Sequence, residues 1–204
     1  MEIHKINNVN IKPIELTEVF AGSEDAELIH YLQKQMNEIS KKDKTGQSVF
    51  AVDDVDFILS IINSKRGDVV LYYNGDELVG FFELTCPDNP EDLEEEYNIS
   101  KYLPEIDILN TGVAESVVVL PKYRGNGLQV KMFERMEEIA SERGITSLIG
   151  TVHPENDVSI SNFKKAGYNT VAKVKVFYGE RIFEYKSIKS KLYEEVSEHV
   201  KSCN

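Results

Sequence analysis

The residues best suited to chemistry form one run, Val117-Val-Val-Leu-Pro-Lys-Tyr-Arg-Gly-Asn-Gly-Leu-Gln129. An apolar strand ends in it, a glycine-bearing turn follows, and a helix begins. The first turn of a helix has backbone N–H groups without intrahelical partners and carries partial positive charge. Gly125 and Gly127 put no side chain between those amides and an anion, and Arg124 adds a full positive charge. Together they make a seat for a pyrophosphate. It is not a Walker loop, because GxxxxGK[ST] is absent. Nor is it a dinucleotide fingerprint: Val130 stands at the third glycine position, and no acid falls about 20 residues further on. A tight strand-to-helix turn that holds nothing is the competing reading.

The flanking sequence sets the elements that must position this turn. Thr111 to Leu120 reads as a strand, and its successive apolar residues Val117 to Leu120 predict burial on both faces and a central place in a sheet. Gly127 to Glu142 reads as a helix with Leu128, Met132, Phe133, Met136 and Ile139 inward. Thr146 to Val152 is the next strand, and Asn156 to Ala166 a short helix closed by Gly167. Tyr168 to Phe177 and Arg181 to Ile188 form a hairpin, with Val174 and Val176 alternating with Lys173 and Lys175.

Upstream, residues 2–20 hold a strand and a loose connection broken by Pro13. Ser23 is placed to cap a helix whose face carries Leu28, Leu32, Met36 and Ile39. After a polar break at 41–47, a second helix starts at Asp53 or Asp54 and carries Val55, Ile58, Leu59 and Ile62. Val69 to Tyr73 and Leu78 to Leu84 pair through an Asn74-Gly75 turn. Residues 86–105, very acidic from Glu91 to Glu96, read as a long loop, either a substrate-binding insertion or a solvated one. Residues 189–204 are a tail or a terminal helix. This order predicts an α+β fold, a mixed and mostly antiparallel sheet flanked by helices. No repeat or linker divides the chain, so 1–204 is expected to be one domain.

Composition narrows the function. A net charge of −12 over 204 residues disfavours nucleic acid, which calls for clustered Lys and Arg. It is compatible with a cationic partner and equally with a solvated acidic surface. No apolar run reaches membrane-span length, and Cys86 and Cys203 make no metal or redox spacing. A cytoplasmic protein with no metal and no membrane partner is the expectation.

The run Tyr123-Arg-Gly-Asn-Gly-Leu-Gln129 resembles the acyl-CoA pyrophosphate loop of the GCN5-related N-acetyltransferase (GNAT) family, [Q/R]xxGx[G/A], with Arg124 first and Gly127 fourth. Gln129 departs from the pattern, standing where Gly or Ala is usual. Asn156 to Tyr168 resembles the family's Asn-bearing helix that ends in Gly-aromatic, and the order of elements matches outside 86–105 and the tail. The resemblance implies a family fold and transfer of acetyl from acetyl-CoA to an amine, a small molecule more than a protein, by direct attack on the thioester. It implies that Val117, Val118 and Val119 offer backbone groups to the pantetheine arm. Arg124, Gly125, Asn126, Gly127, Leu128 and Gln129 would hold the pyrophosphate, Asn156 would contact the cofactor beyond the loop, and Phe163 would lie at its thiol end.

An amine is mostly protonated near neutrality, so a base is required. Glu115 is the first candidate, placed by strand alternation on the face of Val117 and Val119; Glu83 on the preceding strand is the second. A backbone N–H near Val117 would serve the oxyanion. For the thiolate, Phe163 stands where the family often has Tyr, so the acid is another residue or none; Tyr168 reads as core and His153 as a titratable alternative. The missing hydroxyl leaves room for an acyl-CoA sensor of the same fold that transfers nothing. Either a monomer or a homodimer fits.

Overall fold

The computed structural model describes residues 15–86, 89–176 and 179–189. Strands β1 (Thr17–Phe20), β2 (Asp68–Asn74), β3 (Glu77–Thr85), β4 (Thr111–Val119), β5 (Ser147–Val152), β6 (Asn169–Val176) and β7 (Gly179–Ser187) form one sheet in the order β1-β2-β3-β4-β5-β7-β6. Every pairing is antiparallel except β4 with β5. That parallel pair is joined through α5 (Leu128–Glu142), the crossover that parallel strands require. The expected mixed, mostly antiparallel sheet is present. Val174 and Val176 are buried while Lys173 and Lys175 are exposed, as their alternation predicts.

Helices cover both faces. On one, α5 and α6 (Asp157–Lys165) bury Leu128, Met132, Phe133 and Phe163 against Phe82, Leu84 and Ala114. On the other, α1 (Ala26–Ile39) and α2 (Val55–Asn63) bury Ile29, Met36, Ile58 and Ile61 against Leu71, Phe81 and Val118. β4 therefore has helices above and below, and this explains its unbroken apolar run.

The face of α1 differs from the expected stripe. Ser23 does not cap the helix: its hydroxyl donates to Asn63 Oδ1 at 3.1 Å, and a 3-10 turn at Ser23–Asp25 leads into α1. The buried positions are Ala26, Ile29, Leu32, Gln33 and Met36, whereas Leu28 and Ile39 are exposed. The face is rotated because a polar residue, Gln33, points inward, and no count of apolar positions would place it there.

Residues 86–105 are not the loop their composition suggests. Asn89 accepts from Glu91 N at 3.1 Å, Pro90 sits in the first turn, and α3 (Pro90–Tyr97) follows with Glu91 and Asp92 near its positive end. Asn98, in the left-handed region at φ 49°, ends it and α4 (Ile99–Tyr102) begins. Leu93, Tyr97 and Ile99 anchor this insertion on β6 and β7, with Tyr97 stacked on Phe183 at 6.1 Å. The first strand expected within residues 2–20 is present as β1; residues 1–14 and 190–204, where a tail or terminal helix is expected, lie outside the described residues.

β3 holds β4 closely at Gly80, where an added Cβ would lie 2.1 Å from the Val118 carbonyl oxygen. Gly80→Ala is expected to destabilise the fold by about 2 kcal/mol or more. That corresponds to a Tm about 4 °C or more lower, checked by thermal melting.

Candidate active site

β4 and β5 pair from Thr111↔Ser147 to Ala114↔Gly150 and then part. The Phe163 ring sits at the parting: a Cβ added to Gly150 would be 2.8 Å from Phe163 Cζ, so only glycine leaves room for it. Phe133 and Tyr168 hold the ring in place, at centroid distances of 4.5 and 5.0 Å. Beyond Gly150, β4 has no strand partner on its β5 side among the described residues. Leu120 N donates to Val79 O on β3 at 2.9 Å. By alternation the amides of Val118 also face β3, while those of Val117 and Val119 face the opening. A cavity of about 1030 Å³ runs along this edge.

The turn expected to bind phosphate stands at one end of that cavity. Gly125 and Gly127 have φ of 81° and 71°, a region other residues seldom adopt, and no atom lies within 4 Å of where their Cβ would be. Gly127 caps α5, whose first-turn amides, from Leu128 onward, open toward the cavity. Asn126 braces the turn, donating to the carbonyls of Tyr123 at 3.0 Å and Arg124 at 3.3 Å. The Arg124 side chain reaches back to the strand: Nε donates to Val119 O at 3.0 Å and Nη2 lies 3.4 Å from Met36 Sδ. Gln129 leaves the turn clear, because its side chain is tied to α6, accepting from Asn162 at 2.7 Å and donating to Ser159 at 3.3 Å. Asn156 caps α6, accepting from Ser159 N at 3.2 Å, and lines the cavity.

At the other end of the open edge a carboxylate group converges. The register of β3 with β4 jumps from Phe82↔Val117 to Leu84↔Ala114, so Glu115 and Ser116 together oppose Glu83. This bulge overturns the expected alternation. Glu115 does not share the face of Val117 and Val119; it lies with Thr85, whose hydroxyl donates to it at 2.8 Å, on the α1 side of the sheet. Glu83 is fully buried there, accepting from Gln33 Nε2 at 2.9 Å, and its Oε2 has no donor among the described residues. Gln33 also donates to Asp53 at 2.9 Å and accepts from Asp53 N at 2.6 Å, and Ser116 donates to Asp53 at 3.0 Å.

Charge follows from this packing. Burial, with Glu96 and Asp53 close by, pushes the Glu115 carboxyl up to about 8 despite the Thr85 bond. Burial raises Glu83 well above the carboxylate range, and the proximity of Asp53 and Glu115 adds to it. Burial likewise raises Glu96, which α3 brings to the cavity wall. His153 is engaged: Nδ1 accepts from Glu155 N at 3.1 Å, so its proton is on Nε2, which faces Asp43 at 3.5 Å. Tyr168 is in the core, as expected. The sequence gives Gln33 and Ser116 no place in the site, and it offers Asp53 only as a possible helix start. The available signals were a lone Gln within the apolar face of α1 and an Asp-Asp pair of which only Asp54 caps α2, accepting from Phe57 N at 2.7 Å.

The model of the acetyltransferase (GNAT) family matches residues 33–168, two-thirds of the chain. The chain belongs to that family. It is an acyltransferase that uses acetyl-CoA. No curated protein matches it in sequence. Among solved structures, the ribosomal-protein-S18-alanine N-acetyltransferase of Escherichia coli is similar at 13% identity and TM-score 0.61, over 86% of this chain and 95% of that one. A GNAT acetyltransferase of Streptococcus pneumoniae is similar at 18% and 0.61, over 85% and 99%. So is yncA of Salmonella typhimurium, solved with its cofactor acetyl-CoA, at 18% and 0.58, over 84% and 93%. These likenesses are of fold. The open turn and unpaired β4 edge of this GNAT chain fit a diphosphate joined to an extended amide-bearing arm.

The Glu115 carboxyl sets a pH dependence of stability. The folded chain keeps its proton up to about 8, while the unfolded chain loses it near the ordinary value of 4.5. Between those values the folded state binds more protons, so stability falls as pH rises. Glu115→Gln removes this contribution, and its Tm relative to wild type is expected to rise from pH 5 to pH 8.5, read by melting at each pH.

Proposed function

We propose that this GNAT enzyme acetylates a small primary amine, with acetyl-CoA lying along the open edge of β4 and Glu115 as base. The observation that carries the reading is the parting of β4 from β5. It leaves one unpaired backbone edge that runs from the amide turn at 124–129 to the bulge bearing Glu115.

In this reading the first-turn amides of α5 and Arg124 take the diphosphate. The Val119 N–H and the Val117 carbonyl bond the pantetheine arm as an added strand would. The Val117 N–H, aimed into the opening, is placed for the developing oxyanion. Phe163 supplies an apolar wall at the thioester and no proton. Burial strengthens the hold of Glu115 on its proton, and an arriving ammonium favours the ionised form, that proton leaving to solvent. It takes a proton from the attacking nitrogen as the C–N bond forms and the C–S bond breaks, and it can return that proton to the thiolate.

A small acceptor is favoured by the cover over the α1 side. The 40–54 segment is pinned to the β5–α6 connection by Lys41–Glu155 at 3.5 Å and Asp43–His153 at 3.5 Å. Its Phe50 to Asp53 stretch lines the cavity opposite Glu96 and Glu115.

Thiol release from acetyl-CoA is expected with small amines such as 1,4-diaminobutane or lysine amide and not with a folded protein; release only with protein acceptors would overturn the small-molecule assignment. Arg124→Ala is expected to weaken acetyl-CoA binding on the order of tenfold, measured by calorimetry. Glu115→Gln is expected to lower kcat on the order of 10²-fold while leaving acetyl-CoA affinity nearly unchanged, and wild-type kinetics would remove Glu115 from the mechanism.

A further inference from the structure

An ammonium must lose two protons to become an amide nitrogen, and Glu115 accounts for one. Overall, R–NH3+ and acetyl-CoA give the amide, CoA thiol and one H+. The proton lost during attack can pass through Glu115 to sulfur. The earlier one, which turns the ammonium into a nucleophile, needs another acceptor.

Asp53 has the position for it. It lies on the cavity wall, in the segment that leads into α2. Two side chains from two elements fix it with three bonds: Gln33 on α1 donates to its carboxylate and accepts from its N–H, and Ser116 on the β4 bulge donates to its carboxylate. His30 Nδ1 lies 2.7 Å from its backbone carbonyl and, facing an acceptor, must carry the proton in that bond. The charged groups around its carboxylate are Glu83 on β3, Glu115 on β4 and Glu96 on α3, all acidic.

Glu83 makes the arrangement more than a group of like charges. It is fully buried, its Oε1 takes the Gln33 amide, and its Oε2 has no donor among the described residues. Two carboxylates sharing one Gln33 amide repel each other unless a proton lies between them. Burial favours that proton on Glu83, whose O–H can then donate to Asp53 and satisfy the orphaned oxygen. Asp53 faces the cavity, with Glu83 behind it.

We propose that Asp53 is a catalytic residue that binds the acceptor's ammonium and takes its first proton, with buried Glu83 as its proton-sharing partner and Gln33 and Ser116 as positioning residues. This rests on the amine-acetylation reading above. The first step moves one proton from R–NH3+ to an Asp53 oxygen and leaves neutral R–NH2. The pair, which held one proton, then holds two, and one returns to solvent after product leaves.

The test is the pH profile of kcat/KM for Asp53→Asn and Ser116→Ala, using the small amine that wild type turns over best. Asp53→Asn is expected to lose on the order of 10²-fold at pH 7. That loss should shrink as pH approaches the amine's own pKa, where solvent supplies the free base. Acetyl-CoA should still raise the Tm of the variant as it does for wild type, which shows that it folds. Ser116→Ala removes a donor that stabilises the Asp53 carboxylate, so its acidic limb should move to higher pH without collapse of the rate. A loss of equal size at every pH, wild-type activity in Asp53→Asn, or an unmoved limb in Ser116→Ala would overturn the proposal. Wild type that binds acetyl-CoA but acetylates no amine would instead overturn the functional reading beneath it.

Discussion

Backbone amides on a strand must be paired, by another strand, by water or by a ligand. In this fold β4 meets that requirement along only part of its length. Its partner β5 leaves after Gly150, and the Phe163 ring keeps the two apart. The remaining edge is stiff, because helices cover both sides of β4 and β3 binds its far edge. A stiff edge with open donors and acceptors is pre-organised for an extended ligand, which loses little by binding there. The turn at 124–129, the caps of α5 and α6, and the Gln129 bridge all keep one end of that edge open.

Much of this architecture is legible in the sequence because it depends on local rules. The four-residue apolar run at 117–120 announces a strand buried on both sides. Gly125 and Gly127, spaced for positive φ at the head of a helix, announce the turn, and Asn74-Gly75 announces the β2–β3 hairpin. What could not be read is what tertiary contacts decide. The bulge at Glu115 and Ser116 is one extra residue, visible only against its partner strand, and it reverses a face that alternation alone would assign. Gln33 is inward because Asp53, Glu83 and Ser116 satisfy it, and those partners come from distant parts of the chain. The 86–105 insertion misleads in the other direction. Its acidic run suits a solvated loop, yet an Asn cap, a first-turn proline and three anchoring apolar residues make it helical.

The carboxyl groups show how a fold raises the proton affinity of a residue by burial and by placing like charges together. Desolvation is the first cause for Glu83, Glu96 and Glu115, and mutual repulsion follows. These groups come from β3, α3 and β4, and α1 and the 40–54 segment supply Gln33 and Asp53. Such a site costs stability near neutral pH, where several acids would ionise freely in the unfolded chain. The wide sheet and its three apolar clusters offset that cost.

The bulge in β4 also divides the site. Upstream and downstream of it, alternate side chains keep their sides, but at the bulge two polar residues in succession turn the same way. The amide edge lies in the plane of the sheet, whereas the proton-exchanging groups gather beneath it, under α1. One cavity therefore meets two kinds of surface, a backbone edge from the side and a group of carboxyls from below.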